Sequence, residues 1–179
     1  YGIFSSEGDL AKLKELVAKQ KYDINQVDKC LGSPLHIACA AGYVQTVQFL
    51  VESKAMLNQR DKQNRSPLMK AVQGQHETLH LTAKMASVNM AHLLLLYDMA
   101  EFLLQEGADV NTIDVNKRSL LMMAAENGQV KMLQLLLQNE ADVTLQDNKG
   151  LTAKDYARKK KHNPCSFIFN EYTTQKTSR

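Results

Sequence analysis

The chain has 179 residues, 44% of them hydrophobic and 23% charged, with 22 Lys and Arg against 19 Asp and Glu for a net charge of +3. These values exclude wholesale disorder, a collagen-like chain and a concentrated basic footprint for nucleic acid, and the length suits one domain or at most two small ones. The longest strongly apolar run, Leu93 to Tyr97, falls far below the roughly 20 residues needed to span a bilayer, so no membrane partner is expected.

The elements alternate between short apolar helices and polar turns. Tyr1 to Ser6 falls in a first helix, followed by Gly8-Asp9-Leu10 and the apolar stretch Leu13 to Val17. At Ser33-Pro34 a hydroxyl N-cap stands before a proline whose fixed φ suits the first helical position, so a helix starts there. Gly42 stops it, and Val44, Val47, Phe49, Leu50 and Val51 give a second helix with a wide apolar face. Ser66-Pro67 repeats the start, Gly107 closes a helix through a left-handed residue, and Ser119, Gly128 and Val130 to Leu137 repeat the pair again. Thr152 opens the last unit, whose second helix is expected around Ser166 to Tyr172.

The helix starts Ser33, Ser66, Ser119 and Thr152 are separated by 33, 53 and 33 residues. Asn25, Asn58, Asn111 and Thr144 keep the same steps, and so do Asp28, Asp61, Asp114 and Asp147. Three coincident markers fix the period, and a fixed period means stacked repeats. The 53-residue step exceeds its neighbours by 20, which places an insertion near 78–97. Its apolar residues, Met85, Val88, Leu95, Met99 and Phe102, have helical spacing. They fit an elongated or extra helix packed on the stack, a protruding helix that docks a partner or a second copy, or a disordered or alternatively spliced segment.

His76-Glu77-Thr78-Leu79-His80 has the pattern in which two histidines on one helical face hold zinc and the glutamate acts as base. Repeat register explains its first half, because His76 aligns with Tyr43 and Gln129 at the turn between the helices. No third ligand follows at a suitable spacing, so no metal and no cofactor are expected. Cys30, Cys39 and Cys165 are odd in number and lack a CxxC pairing, which fits a reducing, intracellular setting, cytoplasmic or nuclear. Cys39 is expected to be a small buried hydrophobe. The run Arg158-Lys159-Lys160-Lys161 reads as a solvated face, with nuclear import as the alternative. Because the first residue is Tyr1 rather than Met, a fragment or a processed form is expected.

The motifs Ser33-Pro34-Leu35-His36-Ile37-Ala38 and Glu106-Gly107-Ala108-Asp109-Val110-Asn111 resemble the ankyrin repeat, and the resemblance covers essentially the whole chain. Arg65 to Gln73 and Cys165 to Tyr172 look most like the ankyrin modules that precede coiled coils. The resemblance implies an all-α fold, an ankyrin-repeat solenoid of stacked helix-turn-helix units with finger-like hairpin loops. One domain of residues 1–179 is expected, with repeats at about 1–29, 30–62, 63–115 (carrying the insertion), 116–148 and a C-terminal cap at 149–179. It implies that His36 bonds the backbone of the adjoining finger, and that the module is a non-enzymatic one binding a partner protein along its concave face.

By the same resemblance, contacts come from positions beside each finger aspartate and from the ends of the first helices. On the fingers these are Lys29, Cys30, Lys62, Gln63, Arg65, Val115, Asn116, Arg118, Asn148 and Lys149. On the helix ends they are Ala40, Ala41, Gln73, Glu126, Asn127, Lys159 and Lys160. No direct nucleic-acid contact is expected, and the chain is expected to be monomeric unless the insertion self-associates. The competing functions are a zinc-dependent hydrolase acting through His76, Glu77 and His80, and a nuclear nucleic-acid-associated factor.

Overall fold

The hydroxyls expected to start helices do so. In the computed structural model, which describes residues 9–74 and 90–178, Ser33 Oγ accepts from the His36 N–H at 3.3 Å and Ser66 Oγ from the Met69 N–H at 3.3 Å. Ser119 Oγ accepts from the Met122 N–H at 3.2 Å, and Thr152 Oγ1 from the Asp155 N–H at 3.3 Å. Each cap satisfies one of the N–H groups that a first helical turn leaves without a partner.

The helices are α1 (Asp9–Ala18), α2 (Pro34–Ala41), α3 (Val44–Glu52), α4 (described over 67–74), α5 (Met90–Gln105), α6 (Leu120–Glu126), α7 (Val130–Gln138), α8 (Ala153–Lys159) and α9 (Asn163–Thr177). Among the described residues the β structure is confined to one isolated antiparallel bridge between Ile113 and Ser119. The fold is all-α. The chain divides into two compact units, Tyr1–Ala108 and Asp109–Arg179.

In the first unit α2 packs on α3, and α3 on α5. Leu13, Leu35, Cys39, Val47, Leu50, Leu68, Met69, Leu96, Met99 and Leu103 are buried there. In the second unit α6 packs on α7 and α8, and α9 on α7 and α8, around Leu120, Leu121, Met122, Leu133, Leu136, Ala157 and Phe169. Each large apolar side chain contributes about 1.5–3 kcal/mol through burial. Gly74 is required for the packing of α4 on α2, because a Cβ there would stand 2.8 Å from the Ala40 carbonyl oxygen.

The Asp and Asn markers acquire their meaning in the fingers. Asp61 Oδ1 accepts from the N–H groups of Gln63 at 2.9 Å and Arg65 at 2.8 Å. Asp28 does the same for Cys30 and Gly32, Asp114 for Asn116 and Arg118, and Asp147 for Lys149 and Leu151. One carboxylate thus fixes each tip. Asn25 Oδ1 accepts from the Met56 N–H at 2.9 Å and Asn111 Oδ1 from the Asp142 N–H at 2.8 Å, so the asparagines tie successive repeats together.

One expectation needs correction. The last helix is not confined to Ser166–Tyr172: α9 runs over Asn163–Thr177, with the His162 carbonyl accepting from the Ser166 N–H at 3.1 Å and Pro164 in its first turn, where a missing N–H costs nothing. Of the stripe expected for the insertion, Met99 is buried, and nothing is described of the Leu95 side chain. The buried face of α5 is Leu96, Met99, Ala100 and Leu103, whereas Phe102 is half-buried, about 120° around the helix from Leu96 at 3.6 residues per turn. Tyr1 to Ser6, Met85, Val88 and the rest of the insertion before Met90 lie outside the described residues.

Where Gly107 ends α5 with φ at 102°, Lys54 and Glu140 take the equivalent places with φ at 70° and 62°. A side chain in the left-handed region costs on the order of 1 kcal/mol. Lys54→Gly and Glu140→Gly are therefore expected to stabilise the chain by a few tenths to about 1 kcal/mol in denaturant titrations. Lowered midpoints for both would contradict this.

Candidate functional site

Every finger and helix-end position expected to face a partner lies among the described residues. Lys29 and Cys30 are exposed on the first finger, and Lys62 and Gln63 on the second. Val115, Asn116, Asn148 and Lys149 are exposed on the third and fourth. Ala40, Ala41, Gln73, Glu126 and Asn127 are half-buried at or near the ends of the first helices, while Lys159 and Lys160 are exposed at the end of α8. Neighbouring fingers touch through their backbones: the Lys62 N–H donates to the Cys30 carbonyl at 2.9 Å, and the Asn148 N–H to that of Asn116 at 3.1 Å.

The two arginines of the set turn inward. Arg65 donates from Nε to Asp61 Oδ2 at 2.9 Å, from Nη1 to Gln73 Oε1 at 3.0 Å and from Nη2 to Gln63 Oε1. Burial works against the charge on Asp61, but the Arg65 N–H, the guanidinium and the Gln63 N–H together hold its carboxyl below the ordinary value. Arg118 is bonded to Glu126 and lies over the Tyr156 ring, 5.5 Å from its centre. The Tyr156 hydroxyl donates to Asp147. Burial first, and that carboxylate second, push the phenol up to about 12.

His36 bridges a helix start to the next finger, as the resemblance implied. Its Nδ1 accepts from the Ser33 N–H at 3.1 Å, which leaves the proton on Nε2 to be donated to the Arg65 carbonyl at 2.8 Å. Burial lowers the imidazole pKa, against the opposing pull of the Arg65 carbonyl and of Asp61. His162 repeats the device unexpectedly, with Nε2 2.9 Å from the Glu126 carbonyl oxygen. Its signal was present in the sequence, since His162 falls in the same repeat position as Gln129 and Tyr43, after Lys161 in the left-handed region at φ 58°.

In the first unit the expected residues Cys30, Ala40, Ala41 and Arg65 come together around a groove of about 440 Å³, completed by Asp28, Gly32, His36, Ile37, Asp61 and Lys70. Cys39 and Cys165 are buried, which pushes their thiols up, and Cys30 is exposed. Among the described residues, no cluster of three or more His, Cys, Asp or Glu side chains is placed to hold a metal ion. The His76-Glu77-Thr78-Leu79-His80 motif lies outside them. Among the described residues, no helix is long and apolar enough to cross a membrane.

Comparison with known proteins agrees with the repeat chemistry. Human ankyrin repeat domain-containing protein 7 is 50% identical over 50 residues, covering 28% of this chain and 20% of that protein. An L-asparaginase of Dirofilaria immitis is 30% identical over 168 residues, 87% of this chain and 28% of the relative. The Xenopus laevis neurogenic locus notch homolog protein 1 is 32% identical over 143 residues, 72% of this chain and 6% of the relative. The chain thus spans well under a third of the length of each of these relatives. A family model of ankyrin repeats in three copies matches residues 3–98 and 91–178. With its capped helix pairs and aspartate-braced fingers, the chain belongs to the ankyrin repeat family.

Proposed function

We propose that residues 1–179 act as one non-enzymatic ankyrin-repeat module that binds a partner protein through its finger tips and first-helix ends. Ankyrin repeats generally mediate protein–protein interaction. One observation carries the specific reading: a single aspartate brace holds every finger in the same shape, while the position it presents changes from Cys30 to Gln63 to Asn116 to Lys149. A constant frame with varied exposed side chains suits recognition, whereas catalysis needs convergent reactive groups.

The charge of the surface favours an acidic partner. Arg65 and Arg118 are bonded within the chain, so this preference rests on exposed Lys29, Lys62 and Lys149. The test is a selection of random peptides on the purified chain. Enrichment of Asp and Glu is expected, and Lys29→Glu with Lys62→Glu should weaken the selected peptide at least tenfold at low salt and less at high salt. Affinities within twofold of the parent at low salt would contradict the finger assignment.

A further inference from the structure

Repeat register places three side chains together on each first helix and its fingers, and the repeats fill these positions differently; Arg65 and Gln73, for example, are bonded to each other. In Asp109–Arg179 they are Arg118, Glu126 and Tyr156, and they close on one another: the guanidinium is bonded to Glu126 and lies over the Tyr156 ring. In the repeat that starts at Ser33 the same positions hold Gly32 and Ala40, with Lys70 of the next repeat in place of the tyrosine. Gly32 and Ala40 have nothing with which to build that strap. The result is the groove of about 440 Å³, mainly apolar, with Ile37, Ala40 and Ala41 among its lining residues.

The charges at the groove divide into two kinds. Asp28 accepts the Cys30 and Gly32 N–H groups, and Asp61 is paired with Arg65, so both carboxylates are engaged by their own fingers. Lys29 and Lys62 stand exposed on the two adjoining tips. Lys70 lines the groove itself, so an occupant meets an apolar floor with a lysine in its wall and Lys29 and Lys62 on the flanking tips.

We infer that this notch seats one leucine-sized apolar side chain of the partner protein, with an acidic residue next to it against Lys29 and Lys62. The inference rests on the finger-surface reading above and names the chemistry of the partner at that surface. An apolar anchor gains from leaving water, and its acidic neighbour fixes direction along the fingers.

Cys30 supplies the test, because it is exposed at the groove while Cys39 and Cys165 are buried. The chain is equilibrated at fixed 2-mercaptoethanol with symmetrical disulfides of acetylated Leu-Asp, Leu-Lys and Ser-Asp cysteamides, and capture at Cys30 is read by peptide mass spectrometry. The Cys30 thiolate attacks the disulfide, joins one half and releases the other as thiol, so the captured fraction reports affinity at the notch. Leu-Asp is expected to be captured at least fivefold more than either other compound. Gly32→Arg with Ala40→Gln, which copies the residues of the next repeat, should abolish that preference, and Ala40→Gln alone should reduce it if the double variant folds poorly.

Equal capture of all three compounds would overturn the inference, as would a preference that survives both variants. Equal capture together with retained dependence of the selected peptide on Lys29 and Lys62 would sink the notch alone. Loss of both would also remove the finger-surface reading beneath it.

Discussion

Gly128→Ala should lower the unfolding midpoint clearly more than Gly107→Ala. Gly128 has φ at 68°, and a Cβ there would stand 2.9 Å from His162 Nδ1. The backbone alone costs about 1 kcal/mol. The ring must also move, and its bond to the Glu126 carbonyl, 2.9 Å in the present structure, is lost with it. Together these amount to roughly 2–3 kcal/mol, or several degrees in midpoint. Gly107→Ala is the internal control, since its φ is 102° but no atom lies within 4 Å of the added carbon. Equal losses for the two variants would show that the His162 contact contributes nothing.

His36→Met should cost about 1–3 kcal/mol and remove a pH dependence. Methionine is already accommodated at this position of the repeat, where the Ser119 N–H lies 3.5 Å from Met122 Sδ, so the loss is one of hydrogen bonds rather than of space. The Arg65 carbonyl loses its partner, and the Ser33 N–H exchanges the imidazole nitrogen for a weakly accepting thioether. The folded imidazole has a lowered pKa, because burial disfavours the cation more than the Arg65 carbonyl and Asp61 favour it. Between the folded value and the unfolded value of about 6.5, the unfolded chain binds the proton and the folded chain does not. The stability from neutral His36 is thus fully present above about pH 6.5 and lost as the pH falls toward the folded pKa. The buried carboxylates Asp61 and Asp147, with lowered values, act in a separate window below about pH 4. Denaturant titrations from pH 7.5 to 5 should show the loss in the parent and a flatter profile in His36→Met. A parallel slope in both would assign the dependence to another group.

The parts of this fold that were legible in the sequence are those whose chemistry acts locally or at a fixed step. Ser33, Ser66, Ser119 and Thr152 cap by bonding three residues ahead, and the finger aspartates bond two and four residues ahead. The His36 bridge was legible only through the family resemblance, because its acceptor is 29 residues away. The length of α9 was missed because Pro164 suggests a boundary, and only the bond from the Ser166 N–H to the His162 carbonyl shows that it opens the helix. On α5 the helical spacing picked out Met99, but not its buried neighbours Leu96, Ala100 and Leu103, since an apolar-rich sequence leaves the width of the stripe open. The inward turn of Arg65 and Arg118 depends on partners eight residues on, across a finger and a helix. The notch was hardest to see, since it arises from two missing side chains, at Gly32 and Ala40, and shows only against the filled positions of the later repeat.

The central claim is that the fingers recognise a partner while the second helices serve as scaffold. Backbone amide shifts of the isotope-labelled chain, titrated with the selected acidic peptide, test it most directly. The largest changes should fall at Lys29, Cys30, Lys62 and Gln63, with little at exposed Gln48 and Gln134 on α3 and α7. Changes concentrated on α3 or α7, with the finger amides unmoved, would contradict the account.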